Sequence, residues 1–277
     1  MITLVPKGGL GNRINAICSA MVYCRQKQRK LKIMWFTDPG LNCSYKELFS
    51  LNPAFKNVTI QNGNLLDMIY RDQPRKRNLR LPDYFSKYFY DKCIYWYKGF
   101  EVKNNKEPYD DELEKYRKIL LVICGPFWES TDMWNCIVPA PAIIEKAKKI
   151  RGALPKNTIG IHIRRTDNIH IIKCSPTYLF IDKIKEELAA DPEAHFFLAS
   201  DSMEEKDKLT KMFGSHITTP AIDADRNSKD GIFQGFVEMN VLARCTKIYA
   251  GHSTFAEVAA NLGHIPFIKL EKGINNE

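Results

Sequence analysis

NTIGIHIRRTDN, residues 157–168, begins as a buried β-strand and ends in charge. Ile159, Ile161 and Ile163 alternate onto one face, the period of a pleated strand. His162 sits inside the strand on the opposite face. Arg164, Arg165 and Asp167 follow at once. A core strand that runs into two adjacent guanidiniums needs a reason, and that reason depends on the sheet to which the strand belongs.

Working outward from this strand, read over 158–164, the second half of the chain alternates regularly. Helices are predicted over 176–190, 203–213, 231–245 and 253–262, and strands over 195–199, 216–219, 246–250 and 265–270. Short apolar strands separated by helices imply parallel βαβ units. The N-terminus starts the same way, with strand 2–6, a glycine turn, helix 11–28 and strand 31–36. KILLVICGPFW (118–128) reads as another buried strand leading to a Gly-Pro turn, and PAPAIIEKAKKI (139–150) as a helix with proline near its start. The middle is less regular. RDQPRKRNLRLP (71–82) is a basic, proline-punctuated loop, and YFSKYFYDKCIYWYKGF (84–100) is dense in aromatic residues. A boundary near 138–157 divides two α/β halves, taken as 1–145 and 146–277.

The chain has 277 residues, 44% hydrophobic and 26% charged, an ordinary balance for a globular protein and unlike a disordered one. Lys plus Arg exceeds Asp plus Glu by 41 to 32, and the resulting +9 favours an anionic partner such as a nucleotide phosphate, nucleic acid, acidic glycan or anionic lipid surface. The eight cysteines form no CxxC pair and no zinc spacing. They read as buried free thiols in a reducing compartment. No leader pattern opens the sequence and no apolar run has the length of a membrane span. The expected location is cytoplasmic, with peripheral contact at the inner face of an anionic membrane.

In open α/β sheets, ligands bind beyond the carboxyl ends of the strands, and four such ends carry unusual residues. KGGLGNR (7–13) supplies Gly8, Gly9 and Gly11 for close backbone approach, with Asn12 placed to cap the following helix; a plain tight turn fits it equally well. HIRRTD (162–167) puts Arg164 on the His162 face, with Gly160 leaving room beside it. Two arginines suit a diphosphate, because guanidinium forks match phosphate oxygens; an ion-pair cluster with Asp167 is the structural alternative. FFLASDS (196–202) ends in Asp201, either a helix N-cap or an acceptor for a ribose or base. KIYAGHSTFAEVAANLG (247–263) opens a helix at Ser253 and Thr254, with Phe255 and Glu257 in its first turn. Helix N-termini bind phosphate, and Glu257 could complete a capping box with Thr254. Upstream, Glu238 in GFVEMNVLARC is either a solvated acid or an acceptor for the two N–H donors of a guanine edge.

HIRRTD, LASD and GFVEMNVLARCTKIYAGHSTFAEVAANL, in that order, resemble the GDP-fucose-dependent fucosyltransferases, the superfamily of α1,2-, α1,6- and protein O-fucosyltransferases. GGLGN near the start resembles their opening glycine-Asn turn. The resemblance spans roughly the last 120 and first 30 residues. It implies an α/β fold of the GT-B type, two Rossmann-like domains with a cleft between them. The donor would lie in the C-terminal domain and the acceptor on the N-terminal side. It implies inverting transfer of L-fucose from GDP-fucose to a glycan, polysaccharide or lipid-linked oligosaccharide, with neither metal nor cofactor. By position, Arg164 would grip the β-phosphate and steady the departing GDP. His162 and Glu238 would line the guanosine pocket, and Ser253, Thr254 and Phe255 would meet the diphosphate and base. Asn12 would approach the fucose or the acceptor hydroxyl. Arg165, Asp201, Gly9 and Gly11 complete the expected donor set.

Two features depart from the family pattern. IDADR contains Asp223-x-Asp225, which mimics a metal-binding pair; its loop setting argues against that role. The segment after the arginines, NIHIIKCSPTY, has no acid between Asp167 and Asp182, where α1,6 members carry a glutamate. Asp167, which joins Arg164 as a catalytic candidate, His170, Asp38 and Glu129 are the remaining candidates for a general base. Other readings are a transferase of another nucleotide sugar, a protein O-fucosyltransferase, and, from a different class, a basic nucleic-acid-binding protein using RKRNLR beside the aromatic segment.

Overall fold

A computed structural model of the chain describes residues 1–38, 40–64, 67, 81–95, 113–165, 169–221 and 227–272, with the backbone alone for 81–83 and 169–171. It divides into two compact units, Met1–Ala140 and Pro141–Glu277. Each is built on a five-stranded parallel sheet.

In the first unit, β1 (Ile2–Pro6) is buried along its whole length, as a continuous apolar run covered on both faces should be. A glycine turn leads to α1 (Leu10–Gln26) and then β2 (Leu31–Trp35). Next come α2 (Tyr45–Leu48), β3 (Phe49–Ser50), β4 (Val58–Asn62), α3 (Leu81–Phe89), β5 (Lys92–Tyr95) and β6 (Ile119–Ile123). A 3-10 turn at Met133–Cys136 precedes β7 (Val138–Pro139), which pairs antiparallel with β3. The sheet order is β4-β2-β1-β6-β5. Strands β2 and β4 lie on one side of β1 and β5 and β6 on the other, so the direction of winding reverses between β1 and β6.

The second unit holds α4 (Pro141–Gly152), β8 (Ile159–Ile163), α5 (Ile169–Cys174), α6 (Thr177–Ala190), β9 (Phe196–Ser200) and α7 (Met203–Phe213). These are followed by β10 (Ile217–Thr218), α8 (Lys229–Leu242), β11 (Ile248–Ala250), α9 (Thr254–Gly263) and β12 (Phe267–Lys269). The order β10-β9-β8-β11-β12 puts β8 at the centre and the winding reversal between β8 and β11. The two faces of β8 do different jobs. Ile159, Ile161 and Ile163 join Phe180, Ile184, Phe196, Leu198 and Tyr249 in one core. On the opposite face, a Cβ at Gly160 would stand 2.8 Å from Leu242 Cδ2. The room expected at Gly160 is therefore filled by α8, and the glycine serves helix–sheet packing. The α/β class with two Rossmann-like units, expected from the alternation and the resemblance, is the observed one.

Candidate functional site

The carboxyl ends of β8, β9 and β11 carry the residues singled out in the second half. The winding reversal between β8 and β11 is the position at which open α/β sheets leave a ligand crevice. His162 pairs in register with Ala250, which brings the end of β8 beside the end of β11. The His162 ring stacks on Phe255 at 4.9 Å between centroids and 24° between planes. That contact ties the central strand to the first turn of α9.

The two arginines after β8 differ. Arg165 is engaged within its own unit. Its Nε donates to Glu205 Oε1 at 2.9 Å, Nη2 to Thr177 Oγ1 at 3.0 Å and Nη1 to the Arg164 carbonyl at 2.9 Å. Thr177 Oγ1 also donates to Glu205 Oε1 at 2.6 Å. The guanidinium lies 6.0 Å from the Phe180 ring centroid. The backbone N–H of Arg165 donates to Asp201 Oδ1 at 2.7 Å. This pairing puts Arg165 in a bracing position that fixes the backbone carrying Arg164. Arg164 itself is half-buried at the strand end. Asp201 is not the cap of α7: that role belongs to Ser202, whose hydroxyl accepts from Glu205 N. The Asp201 carboxylate joins the end of β9 to the end of β8.

At the end of β11, Ser253 caps α9 and accepts from Ala256 N, while Thr254 is the first helical residue. The capping box expected between Thr254 and Glu257 is therefore absent, because the residue three beyond the true cap is Ala256. Gly251 is required by packing, since a side chain there would run into Ser175, whose hydroxyl donates to the Leu270 carbonyl. The uncapped N–H groups of the first turn and the helix dipole give this end of α9 positive character.

Glu238 is not a solvated acid. It is 2% exposed on α8 and faces Lys206 Nζ at 3.6 Å and Gln234 Nε2 at 3.3 Å. Lys206, equally buried, also donates to the Pro220 carbonyl at 3.2 Å. Lys206, Glu205 and Thr177 were not read from the sequence as partners of the site. The available signal for Lys206 was helical: it lies three residues before Leu209, on the buried face of α7.

In the first unit, the turn after β1 bends at Gly8, with φ +83°. A Cβ there would sit 2.7 Å from both Asn12 Nδ2 and Cys124 Sγ. Gly9 is the N-cap of α1, so Asn12 lies inside the helix and is not its cap. Gly11 is buried beside it. The Asn12 side chain hydrogen-bonds the Cys124 thiol; burial raises that thiol's pKa, while Arg13 and Asn12 draw it back. Arg13, which the sequence reading passed over, is the anchor of this corner. It is 1% exposed and donates to the Gly8 carbonyl (2.9 Å), the Phe36 carbonyl (2.6 Å) and Asp38 Oδ1 (2.6 Å). Its guanidinium also lies 4.8 Å from the Trp35 ring centroid. Burial lowers the Arg13 pKa, against the pull of Asp38.

The candidates for a base are unevenly visible. Asp38 is held by Arg13 and Glu129 is exposed. The His170 backbone lies in α5. Asp167, the side chain of His170, Asp223 and Asp225 lie outside the described residues. Among the described residues, no group of three or more His, Cys, Asp or Glu side chains could hold a metal ion. No described helix is long and apolar enough to cross a membrane.

No family model matches the sequence, and no curated protein sequence matches it. Solved structures do share its fold. The NodZ α-1,6-fucosyltransferase, known from Bradyrhizobium, was solved after soaking with GDP-fucose. It aligns over 96% of this chain and 94% of its own with a TM-score of 0.60 at 15% identity. POFUT1 in complex with GDP aligns over 97% of each chain, with a TM-score of 0.57 and 14% identity. A variant of Arabidopsis thaliana FUT1 in complex with GDP aligns over 99% of this chain and 71% of its own, with a TM-score of 0.64 and 15% identity. At such identities the likeness establishes the fold, the GT-B type with Rossmann-like units.

Proposed function

We propose that the protein is an inverting glycosyltransferase that moves L-fucose from GDP-fucose to a glycan acceptor, without a metal. One observation carries the reading. Arg164, the stacked His162–Phe255 pair and the N-terminus of α9 meet at the winding reversal between β8 and β11. A nucleoside diphosphate presents a flat base and two charged phosphates, and this set offers an aromatic platform, a guanidinium and a helix N-terminus. The likeness to structures solved with GDP or GDP-fucose supports the choice of donor.

In this reading an acceptor hydroxyl attacks the fucose anomeric carbon from the face opposite the phosphate, and GDP departs. Negative charge grows on the β-phosphate as that bond breaks. Arg164 and the first-turn N–H groups of α9 neutralise it, already oriented before the reaction begins. Arg165 and Asp201 are positioning residues that hold the Arg164 backbone. Asp167 is the proposed base and takes the acceptor proton. Glu238, gripped by Lys206, bounds the guanosine side, and Ser253 and Thr254 start the helix that faces the diphosphate. The first unit, with Gly9, Gly11 and Asn12, is assigned to the fucose and acceptor side. The acceptor is a polysaccharide or lipid-linked oligosaccharide. The resemblance of HIRRTD and GHSTFAEVAANL to the superfamily that includes the protein O-fucosyltransferases makes a polypeptide acceptor the second reading.

A thermal-shift panel over GDP-fucose, GDP-mannose and UDP-sugars tests the donor, with stabilisation expected from GDP-fucose. Stabilisation by UDP-sugars alone would overturn the assignment. Arg164→Ala is expected to lower GDP release by about a hundred- to a thousandfold with the fold intact. Unchanged turnover would remove Arg164 from the mechanism.

A further inference from the structure

Helix α3 is patterned the wrong way round for a helix on a soluble surface. It turns a serine inward: Ser86 is fully buried, and its hydroxyl pairs with Tyr95 Oη at 2.7 Å. The next inward residue, Tyr90, follows the helix and donates to Thr3 Oγ1 at 3.1 Å. Outward it turns Tyr84, Phe85, Tyr88 and Phe89, which are 58%, 44%, 71% and 57% exposed. Tyr84 packs edge-on against Phe85 and Tyr88, and the two tyrosine hydroxyls meet at 3.0 Å. Tyr84, Phe85 and Tyr88 therefore form one cluster, and Phe89 lies one turn beyond Phe85 on the same helix. Single exposed apolar side chains are ordinary, but a contiguous aromatic patch on one helix marks a contact surface.

The charges around the patch indicate what it contacts. Lys87 is exposed on the same helix. Asp91, two residues past Phe89, accepts from the backbone N–H groups of Arg117 (3.0 Å) and Lys118 (2.8 Å), which sets two more exposed cations beside the end of α3. In sequence the helix follows directly on RKRNLR (75–80), four cations in six residues. Asp91 spends its carboxylate on those two backbone groups. Aromatic rings with hydroxyl tips, flanked by lysine and arginine, match the boundary between anionic headgroups and acyl chains. The rings seat at the headgroup level and the cations meet lipid phosphate. We propose that α3 is a docking face for an anionic lipid surface. It holds the first unit at a membrane whatever donor the second unit uses. Phe89 and Asp91 lie at the end where β5 and β6 begin, away from the carboxyl ends of the first sheet that carry Gly8, Asn12 and Cys124.

Co-sedimentation of the full chain with vesicles tests this. Phosphatidylcholine vesicles containing phosphatidylserine are expected to pull the protein down, those of phosphatidylcholine alone far less, and added salt should weaken the binding. Tyr84→Ser/Tyr88→Ser/Phe89→Ser is expected to lower binding to the anionic vesicles about tenfold or more. Lys87→Glu/Lys118→Glu, which leaves every aromatic ring in place, is expected to lower it by a comparable factor. An unchanged melting temperature and donor response in both variants show that the fold survives. The proposal is overturned if neither vesicle binds the parent, or if both variants bind as the parent does. Two further results would also overturn it. One is protein self-association in the absence of lipid, abolished by the aromatic variant, which would make the patch an interface between copies. The other is protection of the patch by a soluble neutral oligosaccharide, which would make it a glycan platform.

Discussion

Both sheets reverse their winding beside the central strand, yet the two reversal points are furnished differently. Between β1 and β6, the protein fills the corner with its own side chains: Asn12 against Cys124, and Arg13 against Gly8, Phe36 and Asp38. Between β8 and β11, the stacked His162–Phe255 pair and the start of α9 line the reversal, and the bracing arginine stands two residues past the end of β8. One topology thus yields a corner whose arginine is engaged by its own loops and a corner that leaves Arg164 at the strand end. The difference lies in where the buried guanidinium points. Arg13 turns back across the turn it follows, whereas Arg165 turns away and leaves Arg164 at the strand end. Topology nominates both positions, and side-chain partnering decides what each can do.

The two bracing arginines give the sharpest way to break that comparison. Arg13→Met strands the Asp38 carboxylate and two carbonyls at a site where the guanidinium is almost fully buried. A loss of about 3–5 kcal/mol in urea unfolding is expected, with the GDP-fucose thermal shift of the surviving folded protein less affected than in Arg165→Ala. Arg165→Ala strands Glu205, whose pair is only slightly exposed. The expected loss is about 3 kcal/mol, accompanied by weaker donor binding because Arg164 is no longer held. Equal effects of the two variants on donor binding would erase the distinction between the two corners.

Much of this fold was legible from the chain. Strands such as 2–6, 31–36 and 195–199 lie within about a residue of their observed bounds, because a sheet covered on both faces demands unbroken apolar runs. The elements missed were those whose residues obey a local rule poorly. Val58–Asn62 is a half-buried edge strand with Thr and Gln in it. Helix α3 buries a serine and exposes its aromatic rings, so its periodicity points away from the core. At the site, the strand ends were visible as HIRR, ASD and GHST, but the partners were not. Glu205 is 40 residues from Arg165, and nothing local says that its carboxylate takes that guanidinium and not a ligand. The same holds for Lys206 and Glu238. Partner choice among charged groups is set by the tertiary approach of helices, which a linear pattern does not encode.

Glycine separates the two corners at a smaller scale. At Gly8, alanine must adopt a positive φ and clash with Asn12 and Cys124, so Gly8→Ala is expected to cost about 2–3 kcal/mol. At Gly160, φ is unremarkable and the nearest obstacle is one side-chain methyl of Leu242 at 2.8 Å, with Ile248 Cγ1 next at 3.2 Å. Gly160→Ala should cost about 1–2 kcal/mol, with part of that cost recovered when it is measured in a Leu242→Ala background, which clears the nearest contact. A double-mutant cycle with no such recovery would mean that Gly160 answers to something other than α8.

The finest contrast is in how the helices at the two corners begin. Helix α1 starts at Gly9, which has no side chain to cap it, and α9 starts at Ser253, whose hydroxyl takes the Ala256 N–H. A capped helix still leaves other first-turn N–H groups for a phosphate, so the cap and the ligand need not compete. Ser253→Ala should cost about 1 kcal/mol in stability, and Ser253→Gly only a few tenths, because glycine tolerates the cap backbone. Donor affinity should follow the same order if Ser253 acts by holding the helix start in place. If both variants lose GDP-fucose binding equally while their stabilities differ, the hydroxyl itself meets the diphosphate. The α9 N-terminus would then bind through a side chain as well as through its backbone.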